Sequence, residues 1–157
     1  MFRNMRRYKQ ELSQAECIDI LTHEMRGVLS VLGESGYPYG MVMNHWYDSA
    51  NGKLYFHGAK EGHKIDAIKV HDKVSYCVYD SGYRNEGEWA LNIKSVIVFG
   101  RILIVEDEAK MRDICVNLYR KFTDDEEHLK EELTHLKRVM CLELTPEHIT
   151  GKLVKES

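Results

Sequence analysis

Proline is scarce in this sequence, with two in 157 residues, and no long apolar run occurs. The two most apolar stretches, residues 96–99 and 102–105, are separated by Gly100 and Arg101 and are too short to cross a bilayer. The basic first seven residues are not followed by an apolar segment or a small-residue cleavage site. We therefore expect no membrane span, a cytoplasmic location and an ordered chain, as a composition of 43% hydrophobic and 30% charged residues also indicates.

An excess of charge of either sign is also absent, since the formal net charge is −3 at pH 7. This balance disfavours nonspecific binding to nucleic acid. The length is close to that of a typical single domain, so we expect one domain over residues 1–157.

The four cysteines lack a C-x-x-C pair, and each lies within an apolar pattern. We expect reduced, buried thiols rather than a disulfide or a zinc site. His57, His63 and His71 are irregularly spaced, and no carboxylate or cysteine completes a convincing ligand set around them. No metal site is expected. The cysteines are Cys17, Cys77, Cys115 and Cys141.

Three signatures of common enzyme classes are missing as well. The chain has no G-x-G-x-x-G motif, no Walker glycine loop and no G-x-S-x-G motif. Nucleotide-binding folds of the first two kinds and hydrolases with a nucleophile elbow are therefore unsupported.

The first third of the chain predicts one helix followed by strands. Ser13 and Glu16 fit a capping box that begins a helix over residues 13–24. Residues 27–32 and 39–47 are rich in strand-forming side chains and flank a turn, which predicts two paired strands. A tight hairpin at Asn51 and Gly52 leads to a third strand at residues 54–56, so we expect a three-stranded meander.

The rest of the chain alternates strands with a few helices. Ile65 and Ile68 predict a short helix, residues 73–79 a strand, and residues 94–105 a long strand in which Gly100 marks a bulge or bend. Residues 107–122 have helical periodicity, and an acidic helix follows that begins in the run 124–127. Residues 139–144 and 149–154 predict two strands around Pro146. The lack of regular βαβ alternation favours a small antiparallel barrel.

Residues 55–64 are the most informative segment, because they leave a strand and enter a helix. Gly58 and Gly62 permit close backbone approach, and the amides at a helix start attract anions. Lys60, His63 and Lys64 add cationic groups around the same turn, as a terminal phosphate monoester would require. The alternative is an ordinary strand-to-helix connection with solvated lysines.

Several short blocks follow one another along nearly the whole chain: residues 27–31 (GVLSV), 36–40 (GYPYG), Asn44, 55–59 (YFHGA), 62–64 (GHK), 95–101 (SVIVFGR) and 149–152 (ITGK). In this order they resemble the nitroimidazole-resistance (Nim) proteins, which belong to the pyridoxamine-phosphate-oxidase-like flavin proteins. The resemblance implies an α+β, mainly β fold: an antiparallel six-stranded split β-barrel with flanking helices that binds FMN at a homodimer interface.

By position, the resemblance implies that His63 and Lys64 are a phosphate-holding pair, with the turn from Lys60 to Gly62 beside it. It also places His57 near the flavin as the candidate catalytic residue; the alternative is a hydrogen-bonded core histidine. The strand that would line the isoalloxazine ring comprises Met41, Val42, Met43 and Asn44, and for the methionines core packing is the alternative reading.

Pyridoxamine-phosphate oxidases proper resemble one another in an arginine on the strand corresponding to residues 39–44 and in an arginine-bearing C-terminal segment, and this chain has neither. No arginine occurs between Tyr37 and Tyr83, so pyridoxal phosphate synthesis is not expected.

We instead expect an FMN-dependent oxidoreductase that reduces a small, electron-poor acceptor. The alternatives are a non-catalytic flavin- or haem-binding module, with His57 and His63 as candidate axial ligands, and a structural dimer that has lost its cofactor. The aromatic candidates for an acceptor slot, or for interface or core packing, are Trp46, Trp89, Tyr79 and Tyr83.

Overall fold

The computed structural model describes residues 1–156 and has a curled antiparallel sheet of seven strands at its centre, an arrangement consistent with a split barrel. Their order across the sheet is β2-β1-β5-β6-β7-β4-β3. The strands are β1 (Arg26–Leu32), β2 (Pro38–Asn44), β3 (Trp46–Asp48), β4 (Lys53–Ala59), β5 (Lys73–Tyr79), β6 (Leu91–Val105) and β7 (Val139–Glu156).

Four α-helices flank this sheet: α1 (Gln14–His23), α2 (His63–Val70), α3 (Glu108–Arg120) and α4 (Glu126–Leu133). The capping box predicted at the start of α1 is present, since the Ser13 hydroxyl accepts from the Glu16 amide and the Glu16 carboxylate accepts from the Ser13 amide. Asp107 and Asp125 cap α3 and α4 through their side chains alone, each accepting from two backbone amides. Among residues 1–156, no helix is long and apolar enough to span a membrane.

The structure has seven strands rather than the expected six, and the strand predicted over residues 39–47 divides at His45. His45 is completely buried, and the chain crosses there from β2, which pairs with β1, to β3, which pairs with β4. The predicted three-stranded meander is therefore wrong: β2 and β3 form opposite edges of the sheet.

The two strands predicted around Pro146 are one continuous strand, β7. Pro146 lies opposite Gly100 on β6, where the register shifts between Phe99 and Gly100. This irregularity accommodates a residue that has no amide proton for the strand ladder. The predicted bulge at Gly100 is thereby confirmed, as is the tight turn at Gly52, whose φ is +73°.

Two clusters of buried side chains form the core. The larger one lies inside the curl of the sheet and includes Leu29, Phe56, Ile65 and Tyr76. The smaller one lies beneath α3 and includes Tyr55, Ile114 and Cys141. The strand β4 contributes to both, so its alternating side chains separate the interior of the curl from the α3 side.

Candidate functional site

The turn between β4 and α2 begins at Gly58 and ends at Gly62, the residue that precedes the helix. Gly62 has a φ of +132°, a left-handed conformation that L side chains rarely adopt. Its carbonyl accepts from the amides of Ile65 and Asp66, which starts the helix. The first amides of a helix have no intrahelical acceptor and carry the positive end of its dipole, so this end of α2 suits an anion.

Lys64 places its ammonium group in a space that depends on Gly58. A Cβ atom at position 58 would lie 2.8 Å from Lys64 Nζ, so any larger residue would push the ammonium away. The same Nζ lies 3.7 Å from the sulfur of Met43 on β2. The charge of Lys64 is held between β4 and β2. Because the side chain is partly exposed, this charge still reaches solvent.

His63 contacts the other end of the same face of β2. Its imidazole stacks on Tyr39 with the ring centroids 4.2 Å apart. Alternate residues of a strand share a face, so Tyr39, Met41 and Met43 lie on one side of β2. The structure therefore brings His63 and Lys64 to the two ends of one β2 face, with Met41 between them.

His57 projects to the opposite side of β4, into a cavity of about 260 Å³ between β4 and the two helices α3 and α4. Its side chain is exposed at this cavity. The alternative prediction, that His57 is a hydrogen-bonded core histidine, is therefore wrong. Desolvation and the Lys64 charge lower the pKa of His57, while Glu132 opposes them. This shift favours the neutral imidazole. The cavity is lined by Asn44, His57, Cys115, Leu118, Tyr119, Phe122, Leu129, Glu132, Leu133, Leu136 and Val139.

The remaining predicted site residues lie around these two places in different ways. Met43 is buried in the main core, which agrees with the alternative prediction that the methionines serve core packing. Met41 is partly buried against that core. The side chain of Val42 is 67% exposed on the other face of β2. Lys60 and Gly62 lie exposed at the turn, whereas Asn44 borders the His57 cavity.

None of the four aromatic candidates from the sequence lines the His57 cavity within residues 1–156. Trp46 stacks on Tyr55 at 5.2 Å between ring centroids and packs against the smaller core cluster. Trp89, Tyr79 and Tyr83 are exposed elsewhere on the surface.

Sequence reasoning missed the cavity residues that come from α3 and α4. Tyr119 is the most informative of them, because its hydroxyl is buried without a hydrogen-bond partner in the described part of the chain. A buried hydroxyl left unpaired costs free energy that a ligand could recover. The sequence had one usable signal, namely that Cys115, Leu118, Tyr119 and Phe122 share one helical face, but nothing in it showed that β4 lies opposite.

The buried histidine of this fold is His45. Its Nε2 donates to the Leu21 carbonyl at 2.7 Å, and its Nδ1 lies 2.7 Å from the Tyr76 hydroxyl. Lys121 binds the His45 carbonyl at 2.7 Å. Burial, followed by the charge of Lys121, lowers the pKa of His45 to about 4, and burial lowers that of Lys121 to about 8.

Known structures share this fold at low sequence identity. A candidate 5-nitroimidazole antibiotic resistance protein from Bacteroides thetaiotaomicron matches with a TM-score of 0.79 and 18% identity, over 93% of this chain and 87% of its own. The flavocytochrome Anf3 from Azotobacter vinelandii matches with a TM-score of 0.77 and 19% identity, over 97% of this chain and 72% of its own. An FAD-binding protein from Mesorhizobium loti matches with a TM-score of 0.65 and 22% identity, over 92% and 97% of the two chains.

No curated protein sequence matches the chain significantly. A family model does match: the one described as pyridoxamine 5'-phosphate oxidase, over residues 13–153. This range includes every strand but the end of β7, all four helices and the whole turn from Gly58 to Lys64. The chain therefore belongs to the pyridoxamine 5'-phosphate oxidase family.

Proposed function

We propose that this protein binds FMN and uses it to reduce a small, electron-poor acceptor. The observation that carries the proposal is the position of Lys64, whose ammonium group fills the space left by Gly58 at the first turn of α2. A cation beside free helix-start amides is suited to a phosphate monoester, and FMN ends in such a group. His63 supplies a second basic side chain at the other end of the β2 face.

Residues of the turn and of β2 would hold the two ends of FMN. Lys60, Gly62, His63 and Lys64 would bind the phosphate. The strand with Met41, Val42, Met43 and Asn44 would line the ring, Val42 and Met43 through their backbone because the Val42 side chain points away and that of Met43 packs in the core. The flavin supplies the electron transfer once it is bound. The names of similar structures, one an FAD-binding protein and one a flavocytochrome, support a flavin as the class of cofactor.

His57 would act beside the ring as a neutral hydrogen-bond donor. Its lowered pKa favours the neutral imidazole, whose ring N–H would donate to an acceptor on which negative charge develops. The unpaired Tyr119 hydroxyl in the same cavity offers a second polar contact for a ligand.

Two further parts of the proposal rest on the resemblance to the Nim proteins: the protein would be a homodimer with FMN at the interface, and the acceptor would be a nitroaromatic or similar small molecule. A cytoplasmic location is proposed from the sequence of the first residues. Membership of the family does not imply synthesis of pyridoxal phosphate. The chain lacks an arginine between Tyr37 and Tyr83 that could grip the substrate phosphate beside the flavin.

The first experiment is a visible spectrum of the purified protein, followed by FMN titration of the wild type and of Lys64→Ala. Loss of a charge-assisted phosphate contact, worth about 1.5–3 kcal/mol, should weaken FMN binding by roughly 10- to 100-fold. Gly58→Ala should also weaken binding because its new methyl displaces the Lys64 ammonium. Lys69→Ala, an exposed lysine at the far end of α2, is the control and should leave the affinity unchanged.

Unchanged affinity in Lys64→Ala would remove the phosphate assignment. A Soret band in place of a flavin spectrum would favour the haem-binding alternative, and its loss in His57→Ala or His63→Ala would identify the axial ligand.

The role of His57 is tested separately, by single turnover. His57→Ala loaded with FMN and chemically reduced without oxygen should keep its cofactor but transfer electrons to a nitroimidazole more slowly, by roughly 10²-fold, because the negative charge that develops on the acceptor loses a hydrogen-bond donor. Absorbance measures flavin reoxidation. The same rate in variant and wild type would limit His57 to a structural role.

A further inference from the structure

Two of the four cysteines lie side by side under the His57 cavity. The sulfur of Cys115 on α3 is 3.8 Å from that of Cys141 on β7. Cys17 and Cys77 have no such neighbour among residues 1–156, so this pair is the one close contact between thiols in the described chain. From this geometry we propose that Cys115 and Cys141 form an oxidisable dithiol, which hydrogen peroxide converts to an intrachain disulfide.

The two sulfurs are within reach of a bond. A disulfide needs a sulfur–sulfur distance of about 2.05 Å, so the thiols must approach by about 1.8 Å, which side-chain rotation can supply. Cys115 is partly exposed and lines the cavity, whereas Cys141 is fully buried behind it. A small oxidant entering the cavity therefore meets Cys115 first.

The charge states of the pair suit this order. The contact between the two sulfurs lowers the pKa of Cys115 and raises that of Cys141, and burial raises the pKa of Cys141 further, while the Cys141 thiol lies 3.8 Å from the Met111 carbonyl, to which it donates. The thiolate is the reactive form of cysteine, so Cys115 is the nucleophile and Cys141 resolves the intermediate.

The reaction has two balanced steps. The Cys115 thiolate attacks one oxygen of hydrogen peroxide, the O–O bond breaks, and the leaving hydroxide takes up a proton to become water; Cys115 is now a sulfenic acid. The Cys141 sulfur then attacks the Cys115 sulfur, the S–S bond forms, and the hydroxyl group leaves with the Cys141 proton as a second water. Two thiols are oxidised to a disulfide, and one peroxide is reduced to two waters.

The bond would close a loop that contains α4. Residues 116–140 include Leu129, Glu132 and Leu133, which form one wall of the cavity. Cys141 also pairs directly with His57 across the β4–β7 ladder. Oxidation would thus join α3 to the strand beside His57 and restrict the movement of α4 over the cavity.

The test compares the full-length protein before and after treatment with hydrogen peroxide. The wild type should fall from four alkylatable thiols to two, become lighter by two hydrogens, and yield a peptide that links Cys115 to Cys141. The matched control is Cys77→Ser, because Cys77 is also partly buried; this variant should form the same bond. Proteolysis within residues 121–138 should also be slower after oxidation.

The single variants separate the two roles. Cys141→Ser should stop at the sulfenic acid on Cys115, which dimedone labels, and Cys115→Ser should form no disulfide. Four remaining thiols in the treated wild type, or a bond that involves Cys77 or a second chain, would overturn the proposal. This result does not depend on FMN binding, since the peptide map is read without cofactor or acceptor.

Discussion

The imidazole of His45 joins three parts of the chain that are far apart in sequence. It binds the Leu21 carbonyl in α1 and the Tyr76 hydroxyl in β5, and its own carbonyl accepts from Lys121 just beyond α3. Nε2 donates to the Leu21 carbonyl, and Nδ1 lies within hydrogen-bond distance of the Tyr76 hydroxyl, which donates to the Met43 carbonyl at 2.9 Å. His45 thus ends β2 and anchors the crossover to β3.

This burial predicts a specific loss of stability in acid. The pKa of His45 is about 4 in the folded protein and 6.5 without the fold, so the unfolded chain binds the extra proton between these values. The contribution of His45 to the free energy of unfolding is therefore complete above pH 6.5 and falls as the pH drops towards 4. Over that window the loss is on the order of 3 kcal/mol.

Urea unfolding at pH 7 and at pH 4.5 measures this contribution. His45→Gln should be less stable at pH 7 and should lose less stability between the two pH values than the wild type does. His135→Gln changes an exposed histidine and should keep the wild-type pH dependence. Equal pH dependence in all three proteins would contradict the assignment to His45.

At the scale of elements, the pairing of β6 with β7 depends on a glycine. A Cβ atom at position 100 would overlap the Thr145 carbonyl oxygen and lie 3.0 Å from the Cα of Pro146, both of which are backbone atoms of the facing strand. Backbone in the middle of a sheet cannot move aside cheaply. Gly100→Ala should therefore lower the free energy of unfolding by about 1–3 kcal/mol or more.

Gly40→Ala is the matched control, because Gly40 also lies in a strand. There the nearest atom to the added methyl is Val28 Cγ1 at 3.2 Å, a side-chain group that can rotate. In urea unfolding, the free energy of unfolding should fall clearly less in Gly40→Ala than in Gly100→Ala. Similar losses in the two variants would mean that the close approach at Gly100 is not what limits this position.

Local signals predicted the elements better than their arrangement. The Ser13 capping box, the Gly52 turn and the Gly100 bulge are each set by a few neighbouring residues, and all three are confirmed. The division at His45 was not predicted, since it depends on partners in α1 and β5. Continuity through Pro146 was also missed, because it depends on the register with β6.

The candidate site shows the same difference between local signals and tertiary packing. The turn from Gly58 to Lys64 is continuous in sequence, and its glycines and basic residues could be recognised there. The His57 cavity is assembled from β4, α3 and α4, so its Tyr119 and Cys115 could not be assigned before the packing was known.

At the scale of the whole molecule, the strand registers place an apolar row on the outer face of the sheet. Val42 lies opposite Val28, Val28 opposite Cys77, and Cys77 opposite Ile97. Val42 on the edge strand β2 is 67% exposed and Ile97 on β6 is 37% exposed, and the partly exposed Val28 and Cys77 lie between them. A contiguous apolar patch of this kind is typical of a surface that another subunit covers.

If the proposed homodimer uses this face, a charge in the row should break it. Ile97→Arg should elute as a monomer in size-exclusion chromatography with light scattering, where the wild type elutes as a dimer, because the buried guanidinium would have no partner. Leu103→Arg is the control. Leu103 lies on the same strand, is 51% exposed, and is about 20 Å away beyond the bulge. It should leave the dimer intact. FMN titration of the same variants then tests where the cofactor lies: a monomeric Ile97→Arg that still binds FMN with wild-type affinity would place the site within one chain, and loss of affinity together with the dimer would place it between two.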